Sequence, residues 1–170
     1  KSNQLDLNED NSIQLLTSIL LKYPIINTID INVEEEWLKC SFLINASITD
    51  DSWSNTEESL HQNLRLFNKL KNKEVNNLKI IKEDYEGLTR LNLIRDLKEI
   101  CQSELDFIVT IIKQVFSDKL LKNEELYLST EENSIDKLLQ KLGQTRSSNK
   151  RSHQYLGFRE DDKILVFDIF

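Results

Sequence analysis

The sequence predicts an α+β domain in which three antiparallel hairpins pack against helices, in the order α-ββ-α-ββ-α-α-ββ. Two observations carry that prediction. Apolar residues recur at helical spacing in four separate stretches, and at period two in three pairs of short runs. The pairs are split by short polar breaks, as a hairpin requires. A chain of 170 residues fits one domain, and it buries roughly 70% of the surface exposed when unfolded, enough for a core without disulfides or metals. We therefore expect a single α+β domain over 1–170.

Residues 1–10 are polar and expected to fray. Ser12 is a candidate N-cap for a helix carrying Leu15, Leu16, Ile19, Leu20 and Tyr23 on one face. Pro24 then stops it. Ile29, Ile31 and Val33 alternate, as do Leu38, Cys40, Phe42 and Ile44, with the acidic run 34–36 between them. These form the first hairpin. Ser54 and Glu57 have the spacing of a capping box, and Leu60, Leu64, Phe67 and Leu70 line the helix that follows. The second hairpin joins Leu78–Asp84 to Leu88–Arg95, with Gly87 supplying a positive φ at the turn. Ser103 and Asp106 suggest another capping box, ahead of a strongly apolar helix through Leu105, Ile108, Val109, Ile112 and Phe116. A short helix spans Ser134 to Leu142, with Gly143 just past its end. The basic, serine-rich stretch 144–153 reads as a mobile loop. Tyr155–Arg159 and Ile164–Phe170 close the chain as a third hairpin. Without the first and last strands, the order is β-α-β-β-α-β, so an elaborated ferredoxin-like core is one expected arrangement.

Chemistry finds few footholds. The three glycines, Gly87, Gly143 and Gly157, are far apart, which argues against a phosphate-cradling or dinucleotide-binding loop. His61 and His153 fall on different elements with no cysteine or histidine at ligand spacing, so no metal site is expected. Cys40 and Cys101 read as unpaired thiols. The carboxylate clusters lie in turns and first helical turns, where solvation and the helix dipole account for them. No cofactor is expected.

A net charge of −7 disfavours free nucleic acid and suits a basic protein partner. Between Gly143 and Arg159 the charge reverses locally: Arg146, Lys150, Arg151 and Arg159 lie there with His153 and Tyr155, and no carboxylate intervenes. These six are the candidate contacts to an acidic partner surface or to RNA. Trp37 lies on the strand face opposite Leu38 and Cys40, and would be an aromatic anchor if nothing covers that face. No stretch reaches the roughly 18 apolar residues of a membrane span. With no methionine and no secretory signal at its start, the chain is expected to be trimmed or cut from a longer one, and to be cytoplasmic.

The functional expectation is a non-catalytic protein-interaction or regulatory module that takes a protein partner or self-associates. One alternative is a small-molecule-binding regulator or an enzyme whose site follows no recognisable motif. Another is an RNA-associated domain using the basic 146–159 segment.

Overall fold

The computed structural model describes residues 3–122, 134–144 and 153–169, with side chains from residue 9 onward. Helix α1 covers Asn3–Lys22, and the hairpin β1 (Thr28–Asn32) and β2 (Trp37–Ile44) follows. Helix α2 is Asp50–Leu70. The second hairpin is β3 (Leu78–Tyr85) with β4 (Leu88–Asp96). Helix α3 (Gln102–Phe116) leads through a 3-10 turn to the short α4 (Ile135–Gly143), and β5 (Gln154–Glu160) pairs with β6 (Lys163–Ile169). The chain is thus α+β, with one six-stranded antiparallel sheet and four helices among the described residues.

Three helix starts differ from the sequence expectation. Helix α1 is already formed at Asn3, so most of the stretch expected to fray is helical and Ser12 is buried inside it. No proline or glycine interrupts residues 3–22, so nothing in the sequence delays the helix to Ser12. Helix α2 starts at Asp50, where Thr49 Oγ1 accepts from the Ser52 amide at 3.3 Å. Ser54 and Glu57 are therefore interior, and Trp53 lies in the first turn against the core. Helix α3 starts at Gln102. Its first amide is satisfied from outside, donating to Asp136 Oδ1 of α4 at 2.8 Å.

The strand order is β3-β4-β2-β1-β5-β6. Strand β1 lies between β2 and β5, so β2, β3, β4 and β5 are not a contiguous set. Its five residues are buried on both faces apart from half-buried Thr28, as befits a central strand. Register puts Ile80, Leu93, Cys40, Ile29, Gly157 and Val166 in one row across all six strands. That row and its neighbours face the helices.

All four helices cover this one face. Helix α1 lies against β5: a Cβ built on Gly157 would stand 3.2 Å from Leu20 Cδ1 and 3.3 Å from Leu16 Cβ. Any side chain at this position would press the helix back by a few tenths of an ångström. Helix α4 packs beside α1. Helices α2 and α3 pack together through the stacked rings of Phe67 and Phe107 and sit over the β3–β4 side. There Arg95 of β4 joins Glu104 of α3, and Lys82 of β3 joins Asp50 of α2.

Candidate interaction surface

The opposite face of the sheet carries no described helix. The same registers line up its rows. One runs Ile81, Asn92, Ser41, Thr28, Phe158, Leu165, and the next runs Lys79, Ile94, Lys39, Asp30, Leu156, Phe167. The two ends of these rows differ in chemistry. Across β4, β2 and β1 the face is mostly polar, with Ile94 and Leu43 among its residues, and its polar groups are largely paired, although Asp30 Oδ1 and Arg90 Nε are buried without a hydrogen-bond partner among the described residues. Arg90 reaches over Ser41 to give Nη2 to Thr28 Oγ1 at 3.0 Å, while Ser41 donates to Asn92 Oδ1 at 2.7 Å. Lys39 pairs with Asp30 at 2.7 Å. Trp37 is half-buried on this face and its indole donates to Glu35 Oε2 at 2.8 Å.

Across β5 and β6 the face is apolar. Leu156, Phe158, Leu165, Phe167 and Ile169 share it, with the rings of Phe158 and Phe167 stacked at 5.5 Å. Phe167 is 49% exposed. Their contiguity follows from an unusual feature of the chain: Ile164, Leu165, Val166 and Phe167 are consecutive. The even-numbered pair turns to the helices and the odd-numbered pair to the outer face, so this hairpin is apolar on both sides. That run was the available sequence signal.

The expected basic contacts divide. Arg146, Lys150 and Arg151 lie outside the described residues. The other three lie on or beside β5 but face the fold. Tyr155 is buried on the helix side, and burial pushes its hydroxyl up to about 12. Arg159 gives its guanidinium to the carbonyls of Ile26, Leu20 and Tyr23, at the C-terminal end of α1 and just beyond. Burial lowers it to about 10, which leaves it cationic at neutral pH and suited to the negative end of the helix. The His153 amide donates to Glu34 Oε2 at 2.9 Å, and its Nδ1 lies 3.3 Å from Asp168 Oδ2.

A concavity of about 500 Å³ opens between the Leu97–Cys101 turn and α4. Lys73 Nζ approaches Cys101 Sγ at 3.6 Å, Cys101 Sγ lies 3.2 Å from Ser103 Oγ, and Lys71 Nζ donates to that hydroxyl at 2.9 Å. These groups pair with one another and no histidine stands among them. Both cysteines are free thiols; Cys40 is fully buried, which pushes it up to about 12. Among the described residues no three His, Cys, Asp or Glu side chains gather as a metal site, and no helix is long and apolar enough to cross a membrane. No family model, curated protein or solved structure matches the chain.

Proposed function

We propose that the chain is a non-catalytic protein-interaction module that docks a partner on the β5–β6 end of the sheet face that carries no helix among the described residues. One observation supports this above the others: all four helices lie on one side, leaving Leu156, Phe158, Leu165 and Phe167 side by side on the other. A contiguous apolar patch, half-buried at Leu156, Phe158 and Leu165 and exposed at Phe167, beside a mostly polar area is the build of a binding patch. The sheet suits the role. Strands β3-β4-β2 form a split unit around α2, and β1 stands in the position of the fourth strand of a ferredoxin-like sheet. The third hairpin is then an addition to that unit, and it carries the apolar patch.

The test is a photo-crosslinking residue placed at position 167, with a control at exposed Leu66 on α2. Irradiated in the native extract, the chain labelled at 167 forms a discrete adduct and the control does not. Equal labelling at both positions, or none at 167, eliminates the reading.

A further inference from the structure

The two outermost strands of the sheet, among the described residues, are built differently. Strand β3, at one end, is LKIIKEDY, and four of its eight residues are charged: Lys79, Lys82, Glu83 and Asp84. Charges at that density discourage another strand from pairing. Strand β6, at the other end, is KILVFDI. Its charges stand only near the ends, at Lys163 and Asp168, and the four residues between them are apolar. It holds no proline, and its register with β5 is unbroken from Lys163 to Ile169, with no bulge. Among the described residues its outer edge pairs with nothing. An open, regular, apolar edge is a template for one more strand.

Charge decides what that strand carries. The turn that leads into β6 is Glu160, Asp161 and Asp162, all exposed, and the chain as a whole has a net charge of −7. A second copy would bring the same acidic turn and the same net charge.

Resting on the reading above, we propose that the partner adds an extended segment to the outer edge of β6. The segment alternates apolar residues that continue the Leu165–Phe167 surface, and it carries Lys or Arg where it meets Glu160–Asp162. Backbone pairing gives the affinity, the apolar alternation sets the register, and the basic flank sets the direction.

The experiment uses the full chain and two fluorescent peptides. Each is a nine-residue segment alternating valine with threonine; one ends in three lysines and the other in three glutamates. The lysine peptide binds, and binding slows exchange of alternate β6 amides while leaving β3 amides unchanged. The glutamate peptide binds weaker by about tenfold or more at low salt, since its three charges are repelled by Glu160–Asp162 where the lysines are attracted. Methylating alternate peptide nitrogens abolishes binding. So does Phe167→Lys, which copies the guarded character of β3 at a half-exposed site; its unfolding midpoint verifies the fold. Three results would overturn the proposal: equal affinity for both peptides, no protection in β6 at saturating lysine peptide, or β6 protection by self-association in the absence of peptide. If any of these occurs while the crosslink at 167 persists, the interaction reading stands and strand addition fails. If the crosslink is also absent, both fail.

Discussion

Arg95 is fully buried and yet charged, because four of the five N–H donors of its guanidinium find a partner, three of those bonds going to carboxylate oxygens. Its Nε and Nη2 reach the two oxygens of Glu104 at 2.9 and 3.1 Å, and its Nη1 reaches Glu99 at 3.1 Å and the Asn77 carbonyl at 2.6 Å. Asn68 of α2 donates to Glu104 from the other side. Burial disfavours the cation, but the two carboxylates outweigh it and the net shift is upward. This cluster ties β4, α2 and α3 together inside the helix layer. Breaking a buried pair from one side strands a charge, so Glu104→Gln should cost about 3 kcal/mol, the lower end of the usual range because Glu99 remains. A urea-unfolding cycle with Arg95→Met should return a coupling of about 2 kcal/mol. Additive losses would mean the two side chains act separately. None of this was legible in the sequence. Arg95 ends an alternating strand and Glu104 sits in a first helical turn, both positions where a charge is ordinarily solvated. Their meeting depends on how α3 lies over β4, which periodicity does not report.

The elements themselves were legible wherever apolar spacing was strict, and the α+β class with an antiparallel sheet and four helices is what the described residues form. Their starts were less so, because a cap is one side-chain bond that several nearby residues could make. Thr49 caps α2 in place of Ser54, and α3 takes Asp136 from another helix. The glycine in β5 is the reverse case: its position was plain, but the reason for it appears only when α1 crosses the strand. At Gly157 the neighbours Leu16 Cβ and Ile29 Cγ2, at 3.3 and 3.4 Å, belong to short stiff stems, whereas Leu20 Cδ1 can rotate. Gly157→Ala should therefore cost about 1 kcal/mol, and Gly157→Val about 3, since extra methyls force the helix off the sheet. Hydrogen exchange checks the location: α1 amides should lose protection in the valine variant while α3 amides keep theirs. Uniform loss would show that α1 does not open separately.

At the scale of the molecule, sheet order was the least legible feature, and charge the most nearly useful. Strand β1 pairs with β5 across more than a hundred residues of chain, and local pattern cannot choose between β2 and β1 as the neighbour of β5. The basic loop was chosen as a site because charge reads without geometry. The apolar face needed register to emerge. The same closed helix layer sets how the molecule responds to alkali. Cys40, Tyr23 and Tyr155 all titrate above their ordinary values, chiefly because burial disfavours their anions; Asp106 adds to the effect at Tyr23. In the folded chain Cys40 holds its proton to about 12, and unfolded it releases it near 9.0. Above pH 9 the unfolded state therefore binds fewer protons, and stability falls as pH rises. Cys40 alone accounts for a loss of about 1.4 kcal/mol by pH 10, with the two tyrosines adding to it from pH 10 upward. Cys40→Ala should begin less stable at pH 8, because it leaves a small cavity, and should then lose less between pH 8.5 and 10.5. Denaturant midpoints across that range decide the matter: parallel curves for the two proteins would mean that the thiol is not sealed beneath the helices.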